Sequence, residues 1–155
     1  MYLRVGRHKV PNVTTATTPF ELGKCQILHE GTDVTIIATG SQVSRALAAA
    51  AVLAESGIQA RVLNATFIAP LDVAAIKAAA TQTKAIVTVE EANIAGGLGA
   101  AVASVLVQTE GAHVPMRIIG NDSWAPTLST DGLYEHFGLT AENITAKVRE
   151  VLQSA

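Results

Sequence analysis

A glycine-rich turn between two apolar segments constrains this chain more than any other feature of the sequence. Residues 85–89 are largely apolar and predict a buried β-strand, and residues 100–107 predict an equally apolar helix. The turn between them contains two carboxylates and three glycines: Glu90, Glu91, Gly96, Gly97 and Gly99. A strand, a polar turn and a glycine-rich helix start form the corner at which α/β proteins usually contact ligands or partners.

The three glycines of this turn have two possible roles. They allow an anion or another backbone to approach the helix N-terminus, or they allow the helix to pack tightly against the sheet. The spacing differs from the G-x-G-x-x-G of dinucleotide-binding turns, and the adjacent carboxylates would repel a phosphate. We therefore favour the packing role and expect no dinucleotide site.

The adjacent carboxylates of Glu90 and Glu91 are also open to two interpretations. Such a pair could serve in general acid–base catalysis. The alternative, which we prefer, is that one carboxylate accepts hydrogen bonds from loop N–H groups while the other meets a neighbouring domain. We therefore predict no catalytic residue in this chain.

The composition predicts one folded domain of the α/β class. Hydrophobic residues make up 49% of the 155 residues and charged residues only 15%, a balance that supports a real core and argues against disorder. The net charge of −2, without a basic patch, argues against a nucleic-acid partner. A single cysteine, Cys25, excludes an internal disulfide and favours a cytoplasmic location. We expect no membrane-spanning segment, because no apolar stretch is long enough.

Periodicity along the chain predicts alternating strands and helices. The predicted strands cover residues 25–28, 34–38, 59–64, 85–89 and 115–120. The predicted helices begin near Val43, Val73, Ala100, Leu133 and Thr140. Ser41, Asp72 and Thr140 are the expected N-caps, because their side-chain oxygens can accept from free N–H groups of a first helical turn. Right-handed crossovers between parallel strands then give a sheet with helices on both faces.

Several short motifs follow one another in a characteristic order. They are residues 30–40 (EGTDVTIIATG), 61–64 (RVLN), 70–72 (PLD), 87–91 (VTVEE) and 96–99 (GGLG). Their order resembles the C-terminal domain of the transketolase family of thiamine-diphosphate enzymes. Two later motifs, residues 122–127 (DSWAPT) and 136–140 (HFGLT), are more similar to transketolase than to deoxyxylulose-phosphate synthase or the β subunit of 2-oxo acid dehydrogenases.

The resemblance implies a three-layer α/β/α sandwich around a five-stranded mixed sheet of order 1-3-2-4-5, with strand 1 antiparallel. The turns after the second and fourth strands would then flank the switch point of this sheet, where helix N-termini face a common crevice. We call this place the switch-point crevice. Its predicted residues are Gly40, Ser41, Glu90, Glu91, Asn93, Gly96, Gly97 and Gly99. We expect it to face a partner domain rather than a substrate.

The resemblance also divides the chain. Residues 1–19 are similar to the last strand of the preceding pyrimidine-binding domain followed by a linker, and residues 20–155 correspond to the C-terminal domain. In transketolases an arginine at the end of that strand holds the phosphate of the substrate. Arg4 matches this position best, and Arg7 matches the neighbouring position that related enzymes use. A guanidinium suits this role because it presents a rigid fork of donors to phosphate oxygens.

The remaining implications concern the complete enzyme. Thiamine diphosphate and Mg²⁺ bind to other domains in this family, so no cofactor or metal is expected in this chain. The expected partners are the N-terminal cofactor-binding domains or subunit, and the whole enzyme is expected to be a homo-oligomer. The isolated chain is expected to be inactive in ketol transfer. Alternatives are another member of the family, or a free-standing module that binds an anion or a regulatory ligand.

Several residues depart from the family motifs or are not explained by them. Asn93 and Leu128 stand where many relatives have a histidine and a glycine, respectively. Trp124, the only tryptophan, is either a local hydrophobic plug or an anchor in an interface. Cys25 is expected to pack in a strand. The four histidines do not have metal-ligand spacing: His8, His29, His113 and His136.

Overall fold

The predicted alternation of strands and helices is present in the computed structural model, which describes residues 2–6 and 8–154. The strands are β1 (Gln26–His29), β2 (Val34–Ala38), β3 (Ala60–Asn64), β4 (Ala85–Asn93) and β5 (Met116–Asn121). The helices are α1 (Gln42–Glu55), α2 (Val73–Gln82), α3 (Leu98–Val107), α4 (Thr130–His136) and α5 (Ala141–Leu152). Among the described residues, no helix has the length and apolar character needed to cross a membrane.

The strands form one mixed sheet of order β1-β3-β2-β4-β5. β1 pairs antiparallel with β3, whereas the other neighbouring strands pair in parallel. This confirms the predicted order 1-3-2-4-5 with strand 1 antiparallel. Because β2, β3, β4 and β5 run in the same direction, the turns that follow them lie at one edge of the sheet, which we call the carboxyl edge.

Different helices cover the two faces of the sheet. Ile36 of β2 belongs to a core cluster with residues of α1 and α5, whereas its neighbour Ile37 belongs to a second cluster with residues of α2 and α3. All five residues of β2 are buried, as expected for a central strand. Burying one such isoleucine contributes about 1.5–3 kcal/mol, so both layers stabilise the sheet. The fold is the predicted three-layer α/β/α sandwich.

The N-caps follow the prediction at two of three positions. Asp72 and Thr140 each accept a hydrogen bond from the backbone N–H three residues later, at 3.1 and 3.2 Å. Ser41 occupies the N-cap position of α1, but its hydroxyl makes no capping hydrogen bond. That hydroxyl donates to Glu91 instead, a residue 50 positions away in the sequence.

The fourth strand extends further than the sequence predicts. The apolar run ends at Val89, but β4 continues to Asn93, so Glu90 and Glu91 are strand residues rather than loop residues. The pairing between β4 and β5 is irregular from Val89 to Asn93. Both carboxylates are therefore held by the sheet and not by a free turn.

The N-terminal segment, residues 2–6 and 8–22, contains no helix or strand. It contacts the domain at two points: Nε2 of His8 is 2.6 Å from Oγ1 of Thr130, and Val13 packs against the core cluster of α1 and α5. Residues 2–6 are exposed, as are residues 8–22 apart from the partly buried Val13 and Thr18. This part of the chain therefore covers little apolar surface of its own domain.

Candidate functional site

The turns after β2 and β4 meet at the centre of the carboxyl edge. The N–H of Thr39 donates to the carbonyl oxygen of Val89 at 3.2 Å, so the two turns begin side by side. Gly40 has φ of +60°, in the left-handed region that glycine adopts readily, and the chain enters α1 directly after it. The two turns to which the sequence analysis assigns the switch-point crevice therefore adjoin each other, at the starts of α1 and α3.

The carboxylate of Glu90 accepts hydrogen bonds from backbone N–H groups at the N-terminus of α3. Its side chain is only 1% exposed, and its two carboxylate oxygens accept from the N–H groups of Leu98 at 2.7 Å and Gly99 at 2.8 Å. A negative charge at this position also interacts favourably with the helix dipole. Two of the donors that an external anion would use at this corner are therefore already occupied.

Each glycine of the turn meets a different requirement. Gly96 has φ of +88°, which other residues rarely adopt. A Cβ on Gly97 would overlap the carboxylate of Glu90, lying 2.6 Å from its Cδ. A Cβ on Gly99 would lie 2.5 Å from Cγ2 of Ile118 on β5. Both suggested roles occur, because Gly97 admits an internal carboxylate and Gly99 permits tight packing.

Glu91 connects three elements of the fold. Its half-buried carboxylate accepts hydrogen bonds from the hydroxyl of Ser41 at the start of α1 and from the phenol of Tyr134 on α4, the latter at 3.1 Å. The guanidinium of Arg45 lies 4.0 Å from the centre of the Tyr134 ring, at cation–π distance. These contacts among Ser41, Arg45, Glu91 and Tyr134, which we call the Glu91 network or crevice network, hold α4 against the switch-point crevice.

The network includes two residues that the sequence analysis missed. Tyr134 stands 43 positions from Glu91, and Arg45 lies within the apolar pattern of α1. Nothing in the local sequence marks either residue as part of the crevice. Only the helical periodicity around Tyr134, which places it on the buried side of α4, could have drawn attention to it.

Two other polar side chains of the crevice, Asn93 and Gln42, differ in their hydrogen bonding. Asn93 is exposed, and its Oδ1 accepts from the N–H of Ala95 at 2.8 Å, which closes the turn after β4. Gln42 is fully buried, and its Oε1 has no hydrogen-bond partner among the described residues. The exposed rim of the crevice thus consists mainly of backbone, glycine and the Asn93 amide.

Among the described residues, the crevice network does not include Arg4, one of the two arginines proposed for phosphate binding. Arg4 is exposed in the N-terminal segment and lies outside any helix or strand. Arg7 lies outside the described residues. The phosphate role of these two arginines therefore stays a prediction.

Trp124 is exposed by 98%, so it does not fill a hydrophobic gap in this domain. The interpretation of Trp124 as a local plug is therefore wrong.

Cys25 is half-buried just before β1 and packs beside the α2–α3 core cluster. Burial, followed by the charge of nearby Asp72, raises the pKa of the Cys25 thiol to about 11, which keeps it protonated and unreactive near neutral pH.

The architecture and the sequence match one known family. The family model described as the transketolase C-terminal domain matches residues 23–144. The chain belongs to this family. The match confirms the resemblance inferred from the order of the motifs.

Known transketolase subunits are similar to this C-terminal domain over nearly its whole length. It is 42% identical over 154 residues to the 6-deoxy-6-sulfo-D-fructose transketolase subunit of Clostridium sp. strain MSTE9, covering 99% of this chain and 47% of that protein. It is 43% identical over 155 residues to an apulose-4-phosphate transketolase subunit of Phocaeicola vulgatus, covering 99% of this chain and 49% of that protein. The chain thus spans about half the length of these curated relatives.

A solved structure has the same fold. A split-gene transketolase, described as an inactive beta4 tetramer, superimposes with a TM-score of 0.90 at 38% sequence identity. The alignment covers 96% of this chain and 48% of that one. The similarity extends to other enzymes of the family, since 1-deoxy-D-xylulose-5-phosphate synthase of Heliobacterium modesticaldum is 42% identical over 135 residues, 86% of this chain and 21% of that enzyme.

Proposed function

We propose that the chain is the C-terminal structural and interface section of a thiamine-diphosphate-dependent transketolase, which transfers a two-carbon ketol unit between sugar phosphates in the cytoplasm. The family match over residues 23–144 carries this proposal. Relatives named as transketolase subunits, similar over 99% of this chain, support it further. In this role the domain supplies contacts and rigidity, and other domains supply the reacting groups.

The switch-point crevice does not fit the diphosphate of the cofactor. The first N–H groups of α3 already donate to Glu90, whose charge would repel a second anion. Across residues 2–6 and 8–154, no three His, Cys, Asp or Glu side chains cluster in a way that could hold a metal ion. We therefore assign thiamine diphosphate and Mg²⁺ to the cofactor-binding domains of the complete enzyme.

The proposed partners are the N-terminal cofactor-binding domains or subunit, within a homo-oligomer of the whole enzyme. Residues 1–19 are then the last strand of the pyrimidine-binding domain and a linker, and residues 20–155 are the C-terminal domain. The exposure of residues 2–6 supports this division, because an isolated strand gains nothing that offsets its ordering entropy. We further propose that Arg4 and Arg7 bind the phosphate of a sugar in the assembled enzyme.

Reconstitution tests the proposal. The chain and the separately expressed cofactor-binding part of transketolase from the same organism are assayed alone and mixed, with thiamine diphosphate, Mg²⁺, a ketose phosphate donor and an aldose phosphate acceptor. We expect turnover only in the mixture. Turnover by this chain alone, or a mixture that neither assembles nor reacts, would contradict the proposal.

A related reaction is a second candidate, because two deoxyxylulose-phosphate synthases are 42% and 41% identical to this chain over 135 and 127 residues. The same mixture is therefore also assayed with pyruvate and glyceraldehyde 3-phosphate. Release of CO₂ with formation of a deoxyketose phosphate, in place of ketol transfer, would assign the chain to that branch of the family.

A further inference from the structure

Trp124 is the most exposed of the large hydrophobic side chains in the described part of the chain, at 98%. A tryptophan ring usually removes much apolar surface from water when a protein folds. This ring contributes no such burial to the isolated domain. Tryptophan is enriched among the few residues that contribute most of the free energy of protein–protein binding. The exposed ring therefore indicates a surface that binds another protein or domain.

The surroundings of Trp124 have the character of a docking surface. Residues 122–129, which we call the Trp124 loop, join β5 to α4 at the carboxyl edge, and all of them are exposed. Leu128, near the end of the loop, is exposed by 50%. Asp122 is the only charged residue in the loop. Low charge around an exposed aromatic ring is typical of the core of an interface rather than its polar rim.

The N-terminal segment meets the end of this loop. Thr130 directly follows the loop, and its Oγ1 lies 2.6 Å from Nε2 of His8. Before His8, the side chains of Tyr2, Leu3 and Val5 are exposed by 89%, 73% and 78%. A partner that buries these three side chains therefore stands beside the Trp124 loop.

We infer that Trp124 anchors this domain to the cofactor-binding part of the transketolase by entering an apolar pocket of that partner. The inference rests on the proposed function, in which the N-terminal segment is a strand of the partner. This chain covers only 47% and 49% of the length of the curated relatives. About half of each relative therefore lies outside the matched domain and could supply such a partner. The Glu91 network fixes α4, and hence the C-terminal end of the Trp124 loop, against the sheet.

The single tryptophan provides a direct test. The chain labelled with 5-fluorotryptophan gives one ¹⁹F resonance, from Trp124 alone, and is titrated with the unlabelled cofactor-binding part of transketolase from the same organism. We expect this resonance to shift on binding as the ring leaves water. Trp124→Ala should melt at the same temperature as the wild type, because the ring is exposed, and should bind at least about tenfold more weakly.

Two further variants control for nonspecific effects. Val107→Ala removes an apolar side chain that is 75% exposed at the end of α3, away from the Trp124 loop, and should bind like the wild type. Trp124→Phe should recover part of the affinity lost in Trp124→Ala. If wild-type chain binds but Trp124→Ala binds equally well, the anchor role is refuted while the proposed function stands.

Other outcomes are equally decisive. If the wild-type chain does not bind the partner under any condition, the proposed function fails and the anchor role fails with it. If Trp124→Ala abolishes self-association of the chain but leaves binding to the partner unchanged, the occupant of this surface is a second copy, and the inference is wrong.

Discussion

The Glu90 carboxylate and the backbone of Gly97 share one small space at the start of α3. A Cβ at position 97 would lie 2.6 Å from Cδ of Glu90 and 2.7 Å from the carbonyl oxygen of Asn93. Gly97 itself has φ of −89°, an ordinary value, so the requirement for glycine is steric and not conformational. The adjacent Gly96 is the opposite case, with φ of +88° and open space where a Cβ would lie.

Gly97→Val should lower the free energy of unfolding by about 1–3 kcal/mol, because the new side chain displaces the Glu90 carboxylate from the N–H groups that it caps. Chemical denaturation of the two proteins measures this difference. Ala95→Val is the matched control, since Ala95 is exposed in the same turn and its substitution should change stability little. Equal stability of Gly97→Val and wild type would show that the turn relaxes without cost.

Glu91→Gln should melt close to the wild type yet assemble less tightly with the cofactor-binding part of the enzyme. The amide keeps an acceptor oxygen for Ser41 and Tyr134, whereas the negative charge at the switch-point crevice is lost. Melting temperature, complex mass and ketol-transfer turnover are measured on the reconstituted mixture. A variant that assembles normally but has no turnover would make this carboxylate catalytic, contrary to the interface role.

At the scale of the structural elements, Asp33 connects the three central strands β2, β3 and β4 at the edge of the sheet opposite the crevice. We call these contacts the Asp33 clamp. Asp33, just before β2, accepts from the N–H of Gln59 at 2.8 Å and pairs with Nζ of Lys84 at 2.9 Å. Gln59 and Lys84 directly precede β3 and β4. The hydrogen bond from Lys84, followed by that from the Gln59 N–H, lowers the pKa of the Asp33 carboxyl.

This clamp predicts a specific pH dependence. Because the pKa of Asp33 is lower in the folded state than in the unfolded state, its contribution is complete above the unfolded value of about 3.9 and is lost as the pH falls through the folded value. Asp33→Asn should therefore be less stable than the wild type at pH 6, and the difference should shrink below about pH 3.9. Denaturation curves at several pH values measure it.

Lys84→Met provides the control for this prediction. It removes the principal cause of the lowered pKa while leaving the carboxyl in place, so the acid-dependent part of the stability should decrease. If Asp33→Asn and the wild type differ by the same amount at every pH, the Asp33 clamp does not contribute through its charge.

For the molecule as a whole, thiamine diphosphate and Mg²⁺ should not change the melting temperature of the isolated chain. A ligand stabilises only a protein that it binds in the folded state, and two N–H groups at the start of α3 already donate to Glu90. The reconstituted mixture is the positive control and should melt at a higher temperature with the cofactor than without it. A cofactor-dependent rise in the isolated chain would place a binding site within these residues.

The sequence by itself determined the elements, the sheet and the family. The continuous apolar run of β2 and the helical spacing of α1 are local patterns, as are the capping side chains of Asp72 and Thr140. Local patterns can be read from the sequence because each depends on residues within a few positions of one another. The sheet order followed from the order of the motifs, through their resemblance to a known family.

Only the tertiary structure decided what the polar residues of the carboxyl edge do. Ser41 has the sequence of an N-cap but donates to Glu91, and Tyr134 joins the same carboxylate from 43 positions away. The sequence leaves Trp124 as either a local plug or an interface anchor, and only its 98% exposure in the fold excludes the plug. These outcomes depend on which groups the fold brings within hydrogen-bonding distance and which it leaves in water, and such long-range proximity has no local signature in the chain.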